Sequence, residues 1–318
     1  MKEAKIVTLT INPALDKSAD VDRVEPDKKL RCRHPRYDAG GGGINVARAV
    51  NEMGEDARAV FLAGGRCGDR LTELLEKEEV PHQRIEIDQE TRQHLIVLEE
   101  ESGRQFRFGM PGPEIGSEDC DRVLQSLAEL ESAPEFLVIA GSLPPGIPDD
   151  FYAQVVEAAG QRGTRVIVDA CGEPLRRALE AQPFMIKPNL RELGDLAGKE
   201  MESDEEIEAA AGKLVDEGNC DICTVSLGAG GALLVSKNGI HRIPSPTVPI
   251  RSKVGAGDCS VAGIVTALSR GHSEKEALAM GVAAGAAAVM TPGTELCRRR
   301  DVDRLFQALQ KKEKESTS

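Results

Sequence analysis

The sequence predicts an α/β protein: an open, mostly parallel sheet flanked by helices, with a small second β-sheet beside it. Three observations carry this. Short strand-like runs alternate with helical patterns along most of the chain. Several of those runs are apolar throughout, as strands buried on both faces require. Two strand pairs, near residues 17–37 and 84–110, interrupt the alternation and supply the extra sheet.

Composition sets the limits. The chain has 318 residues, of which 40% are hydrophobic, enough for a substantial core. Trp is absent and aromatics are 3%, so the core is expected to be aliphatic. No internal repeat or linker divides the chain, and one domain over 1–318 is expected. The net charge of −13 argues against nucleic-acid or membrane partners, and an anionic substrate then needs a locally basic site. No apolar run approaches the ~18 residues of a membrane span. Residues 1–5 lead straight into a strand without a secretion signal, which points to the cytoplasm. The eight cysteines read as reduced thiols. Cys220 and Cys223 form a C-x-x-C without a second pair or a nearby His, and are expected to be buried strand cysteines.

The first strand, residues 6–11, is Ile-Val-Thr-Leu-Thr-Ile. Asp16 follows at its carboxyl end, where open α/β sheets bind ligands; it suits sugar hydroxyls and equally a turn after Pro13. Residues 28–36 are basic: Lys29 and Arg31 are candidates for a small-phosphate site, while the alternation of Leu30, Cys32 and His34 with charges also fits a solvated strand. Without interleaved aromatics, RNA stacking has no support. Gly40-Gly41-Gly42-Gly43 runs into a helix marked by Val46, Ala49, Val50 and Met53, exposing backbone to a ligand. Asn45 both donates and accepts, as sugar recognition requires.

A strand at 59–63 and a helix over about 68–79 come next, then a hairpin of 93–98 with 104–110. Strands at 136–140 and 165–169 follow; the first ends in the rigid turn Gly141-Ser142-Leu143-Pro144-Pro145-Gly146. Residues 185–192 form a short strand entering a helix. There Asn189 and Glu192, three apart, share a face; the spacing holds a hydrated Mg²⁺ or simply starts a helix. Asp204-Glu205-Glu206 makes an acidic first turn. Strand 222–227 turns through Gly228 to Gly231 into strand 232–235. In Val254-Gly255-Ala256-Gly257-Asp258 the glycines precede a helical pattern of Val261, Ile264, Val265 and Leu268. Free backbone N–H groups there favour an anion, and Asp258 sets a carboxylate beside it. That pairing suits phosphoryl transfer to a hydroxyl; an N-cap aspartate is the plainer reading. Residues 279–290, rich in Ala and Gly, allow close helix packing, and 312–318 are polar and expected to fray.

Taken together, these stretches resemble the ribokinase-like pfkB family of carbohydrate kinases over essentially the whole chain. They are similar in particular to its minor 6-phosphofructokinase branch. The resemblance rests on residues 8–16, Lys29-Leu30-Arg31-Cys32, Gly40 through Asn45, Thr91-Arg92-Gln93, Gly141 through Gly146, Lys187-Pro188-Asn189, Val225-Ser226-Leu227-Gly228 and Val254 through Asp258. It implies a ribokinase-like doubly wound domain with a β-sheet lid, usually shared in a homodimer. It implies ATP and Mg²⁺, with transfer of the γ-phosphoryl group to the 1-hydroxyl of fructose 6-phosphate; fructose 1-phosphate and tagatose 6-phosphate are the alternative acceptors. Asp258 would be the base, with Gly255, Ala256 and Gly257 as the anion hole. Asp16, Gly41, Gly42, Asn45 and Ser142 would hold the sugar, and Lys29, Arg31 and Arg92 its phosphate. Lys187, Ser226, Gly228 and Gly231 would lie along ATP, with Asn189 and Glu192 organising Mg²⁺ through water.

The pattern departs from the family in places that bear on regulation. Lys253 stands where Thr is usual, and Thr291 and Glu295 where the branch has Asn and Arg. Glu25 replaces an aromatic found at an inhibitory ATP site. These departures leave a monovalent cation open; a Lys253–Glu295 pair would put a fixed ammonium in the place of bound K⁺.

Overall fold

Strand β1 (Ile6–Thr10) is buried along its whole length, because strands pair with it on both edges and helices cover both faces. The computed structural model describes residues 4–317. Residues 1–3, part of the stretch read as lacking a secretion signal, and Ser318 lie outside the described residues. From β1 the chain passes through β2 (Ala14–Val21) and β3 (Arg33–Gly40) into α1 (Gly42–Glu52), then β4 (Ala57–Ala63), α2 (Gly65–Lys77) and β5 (His82–Glu86). The hairpin β6 (Arg92–Glu99) and β7 (Arg104–Gly109) precedes α3 (Ser117–Ala128) and β8 (Phe136–Ala140). Alternation resumes with α4 (Phe151–Gly160), β9 (Arg165–Asp169), α5 (Gly172–Glu180), β10 (Met185–Ile186), α6 (Leu190–Ala197), α7 (Asp204–Asp216) and β11 (Ile222–Ser226). The hairpin β12 (Ala232–Ser236) and β13 (Gly239–Ile243) leads to α8 (Ala256–Ser269), α9 (Glu274–Val289) and α10 (Arg299–Thr317). The tail expected to fray is thus helical as far as Thr317.

Nine strands form the main sheet in the order β13-β12-β11-β10-β9-β8-β1-β4-β5. Pairing is parallel from β5 to β11 and antiparallel through β12 and β13. The order reverses at β1, so the carboxyl ends of β1 and β8 flank the crevice where such sheets bind ligands. Successive side chains feed opposite cores: Phe136 and Val138 join α1, α8 and α9 on one face, and Leu137 and Ile139 join α3 and α4 on the other. Aliphatic side chains dominate both cores, yet Phe61, Phe136, Phe151 and Tyr152 are among the largest fully buried side chains, so the few aromatics are placed inside.

The second sheet has the order β3-β2-β6-β7. Its extent differs from the 17–37 and 84–110 segments. Residues 84–86 belong to β5, which pairs with β4 at the edge of the main sheet. The basic strand expected over 28–36 begins only at Arg33: β2 shifts register between Ser18 and Asp20, and Asp20 pairs with Arg33. Residues 24–32 carry no strand, and Lys29, Arg31 and Cys32 are exposed. Leu95 and Leu98 are half-buried and Val97 buried; the exposed apolar groups of this region are Tyr37, Phe108 and Met110. Cys220 and Cys223 are buried free thiols, raised well above their ordinary pKa by burial. Among the described residues no helix is long and apolar enough to cross a membrane.

The small residues of α8 and α9 let the two helices lie in close contact. A β-carbon at Gly263 would fall 2.6 Å from the Met280 carbonyl oxygen, and one at Gly281 would fall 2.5 Å from Ile264. Backbone cannot yield as a flexible side chain does, so Gly263→Val is expected to destabilise the fold by about 1–3 kcal/mol. A lowered urea midpoint at unchanged m-value checks this.

Candidate active site

Gly255 ends the loop before α8 in the left-handed region, at φ 73°, and a β-carbon there would press on Leu296 at 2.6 Å. Glycine meets both demands. No side chain caps α8. Its first-turn N–H groups, from Ala256 and Gly257 onward, therefore form an anion-binding helix start. Ser252 braces the loop: its hydroxyl donates to the Gly293 carbonyl at 2.6 Å and accepts from the Val254 N–H at 3.1 Å.

Asp258 stands in the first turn of this helix. Burial, more than anything else, pushes its carboxyl up to about 6. The hydrogen bond from Asn45 opposes that rise, the charges of Asp169 and Asp16 add to it, and Lys187 counters them. A carboxyl tuned to this range can take a proton near neutral pH.

Asn45 reaches Asp258 from the other glycine helix, its Nδ2 donating to Oδ2 at 2.8 Å. Helix α1 begins inside the four-glycine run, because those residues abut β1 and β8. A β-carbon at Gly43 would lie 2.6 Å from the Leu9 carbonyl oxygen, and one at Gly42 would lie 2.9 Å from the Ala140 carbonyl carbon. Gly41, at φ 120°, occupies the N-cap. The Ile44 N–H donates to Thr10 Oγ1 at 2.9 Å and pins the helix start to the strand.

The remaining groups sit at strand ends. Lys187, just past β10, is buried and pairs with Asp169 at the end of β9 at 3.2 Å. Its ammonium also lies 3.8 Å from where Gly257 would carry a β-carbon, so it faces the anion hole. Asp16 is buried on β2, its Oδ2 filling the space over Gly40 that a β-carbon would need. Its Oδ1 lies 3.2 Å from His94 Nδ1 and accepts no hydrogen bond. Ser142 accepts from Asn12 Nδ2 at 3.3 Å. Arg92 donates to the Asn12 carbonyl at 2.7 Å and, at longer range, to those of Pro13 and Met110. Burial holds its pKa below the ordinary arginine value, with Asp16 partly offsetting this.

The other candidates lie on loops and helix starts around the strand ends. Lys29 and Arg31 are exposed ahead of β3 and make no hydrogen bond or ion pair among the described residues. Asn189 and Glu192 form a reciprocal capping box on α6: Asn189 Oδ1 accepts from Glu192 N at 3.0 Å, and Glu192 Oε2 accepts from Asn189 N at 2.9 Å. Among the described residues no group of three His, Cys, Asp or Glu forms a metal cage. Ser226 bridges to Asn189 across the strand ends. Gly228 opens a single 3₁₀ turn, and Gly231 closes it at φ 96°. The expected Lys253–Glu295 pair is not formed. Lys253 is exposed, and Glu295 binds Arg298 at 2.7 Å and approaches Arg36 at 3.9 Å. Arg298, three residues on in the same chain, reaches Glu295 with no long loop to order. Thr291 lies 2.7 Å from both the Ala288 and Glu295 carbonyl oxygens and ties the loop to α9. Asp169, His94, Asn12 and Thr10 were not singled out from the sequence. Asp169, closing an apolar strand at its carboxyl end, carried the clearest signal of the four.

A sequence profile described as pfkB family carbohydrate kinase matches residues 7–300. The chain is 42% identical over 303 residues to the ATP-dependent 6-phosphofructokinase isozyme 2 of Mycobacterium tuberculosis strain H37Rv, covering 95% of this chain and 89% of the relative. Its fold is similar to that of Escherichia coli phosphofructokinase-2 in complex with substrates and products, with TM-score 0.92, 40% identity, and 96% and 99% of the two chains covered. The E. coli enzyme in complex with potassium gives a TM-score of 0.93 at 39% identity, with the same coverage. A profile match over nearly the whole length, on a scaffold this similar, settles the kinship: the chain belongs to the pfkB family of carbohydrate kinases.

Proposed function

We propose that the chain is an ATP-dependent 6-phosphofructokinase that transfers the γ-phosphoryl group of ATP to the 1-hydroxyl of fructose 6-phosphate. The observation that carries this reading is the meeting of Asp258, in the uncapped first turn of α8, with Asn45 from the glycine helix and with the field of Lys187. The names of the M. tuberculosis relative and the E. coli structures support the choice of acceptor.

In this reading Asp258 accepts the hydroxyl proton as the oxygen attacks the γ-phosphorus, the bond from that phosphorus to the bridging oxygen breaks, and ADP leaves. The N–H groups of Ala256 and Gly257 and the Lys187 ammonium stabilise the charge on the phosphoryl oxygens, which is most of what such a reaction asks of a protein. Asp16, Asn45, Gly41, Gly42 and Ser142 orient the sugar; Lys29, Arg31 and Arg92 are the cations proposed for its phosphate. Lys187, Ser226, Gly228 and Gly231 lie along the nucleotide. The uncapped helix start and the buried lysine fit ATP. Glu192, with one carboxylate oxygen committed to the capping box, fits Mg²⁺ held through water. Mg²⁺ would neutralise phosphate charge. The exposed Tyr37, Phe108 and Met110 near the small sheet support a homodimer through that sheet acting as a lid.

A coupled kinase assay across phosphorylated ketohexoses tests the reading; faster turnover of fructose 1-phosphate or tagatose 6-phosphate than of fructose 6-phosphate would replace it. Asp258→Asn is expected to lower kcat by at least about 100-fold while ATP still binds. In the unsubstituted protein the base must be deprotonated, so log kcat/KM for the sugar should rise with pH up to about 6 and level off above it. With Lys253 exposed and Glu295 engaged by Arg298, the Lys253–Glu295 pair does not stand in for a bound cation among the described residues. Turnover is therefore expected to be faster in K⁺ than in tetramethylammonium at equal ionic strength, and equal rates would remove the cation from the scheme.

A further inference from the structure

Helix α1 carries a second polar residue on the face that holds Asn45. Arg48 follows three residues on, one turn along the same side. Its side chain is 9% exposed and is held from three directions. Nε and Nη2 donate to the two carboxylate oxygens of Glu78 at 2.7 and 2.8 Å, a bidentate grip. Nη1 donates to the Ala39 carbonyl on β3 at 2.9 Å and to Asn45 Oδ1 at 3.4 Å. Glu78 occupies the C-cap of α2, where the helix dipole disfavours a carboxylate, and the guanidinium offsets that cost.

The two ends of a primary amide have nearly the same shape and opposite hydrogen-bonding character. Asn45 donates from Nδ2 to Asp258 Oδ2 at 2.8 Å. The reversed amide would set Oδ1 against Asp258, where it repels an ionised carboxylate but accepts from a protonated one. Within the Asn45–Asp258 pair alone, amide and acid can turn over together, and the base then keeps its proton. Arg48 removes that choice, because a guanidinium offers only donors. Reversing the amide would bring Nδ2 against Nη1, donor against donor. The other charges acting on Asp258 are those of Asp169, Asp16 and Lys187, and none of these side chains hydrogen-bonds the Asn45 amide among the described residues.

We infer that Arg48 is a positioning residue for phosphoryl transfer: gripped by Glu78 and hydrogen-bonded to Asn45 Oδ1, it fixes the Asn45 amide with Nδ2 toward Asp258, the orientation that a proton-accepting carboxylate requires. The inference rests on the proposed function, since it takes Asp258 as the base. Without Arg48 the amide reverses as the acid protonates. The acid form gains a hydrogen bond that the intact site denies it, and Asp258 holds its proton to higher pH.

The test follows the ionisation of Asp258 in the unsubstituted protein, in Arg48→Met and Glu78→Ala, and in Asn45→Ala with and without Arg48→Met. It is read from the Asp258 carboxyl NMR resonance, assigned by its loss in Asp258→Asn, and from log kcat/KM for fructose 6-phosphate against pH. Thermal melts confirm that each variant is folded. The substrate phosphate titrates alike for all of them, so their differences isolate the enzyme. In Arg48→Met the midpoint is expected to rise by about 0.5–1 in pH, the scale of one net hydrogen bond. The high-pH plateau should be nearly kept, because an ionised carboxylate by itself draws Nδ2. Glu78→Ala separates orientation from charge. Removing a negative charge lowers the midpoint of a neighbouring carboxyl through its field, whereas a loosened Arg48 raises it, and a rise is expected. In the Asn45→Ala background, Arg48→Met should move the midpoint by less than about half as much, since coupled residues are not additive. An unmoved midpoint in Arg48→Met, a fall in Glu78→Ala, or an equal rise without Asn45 would each overturn the inference and leave the proposed function standing. An unsubstituted protein that turns over no sugar phosphate would overturn the proposed function and with it the role in phosphoryl transfer, and the NMR titration distinguishes that failure from one of amide orientation.

Discussion

The hydrogen bond from Asn45 to Asp258 joins residues 213 positions apart, and most of the site's geometry depends on it. It can form only if α1 and α8 start at the same edge of the sheet, with their first turns side by side. Glycine makes that possible at both starts: Gly42 and Gly43 bring α1 against β1 and β8, and Gly255 turns the chain into α8 beside Leu296. The close contact of α8 with α9 then holds the second helix in place from behind.

The same bond has an electrostatic side. An uncompensated carboxylate in this crevice would protonate, because burial and the neighbouring Asp169 and Asp16 all favour the neutral form. Asn45 and Lys187 act against them, and the balance leaves the carboxyl at about 6. Lys187 is itself buried, which is tolerable because Asp169 lies at 3.2 Å. A protein of net charge −13 thus sets one ammonium and one helix start at the end of its central strands, the groups an anion would meet there.

Sugar recognition is placed on a different support. Asp16 comes from the small sheet, while the base and the anion hole come from the main domain. The two are tied by the Thr294–Asp38 hydrogen bond and by Arg92 gripping the loop after β1.

Much of this was legible in the sequence. Uniformly apolar runs marked the strands buried on both faces, and glycine followed by helical periodicity marked α1 and α8, because period and backbone permission are local properties. Asp258, Asn45 and Asp16 were singled out from their local motifs, whereas Lys187 was reached only through the family resemblance. Less was legible where a local pattern had two outcomes. Asn189 and Glu192 fitted a cation or a helix cap, and they cap each other. Leu30, Cys32 and His34 alternated like a strand but had no partner strand until Arg33. Lys253 and Glu295 had complementary charges, yet Arg298 was nearer to Glu295. Only the tertiary structure decided that His94 meets Asp16, that Lys187 meets Asp169 and that residues 84–86 close the main sheet. Those contacts depend on strand order and register, which long-range packing sets.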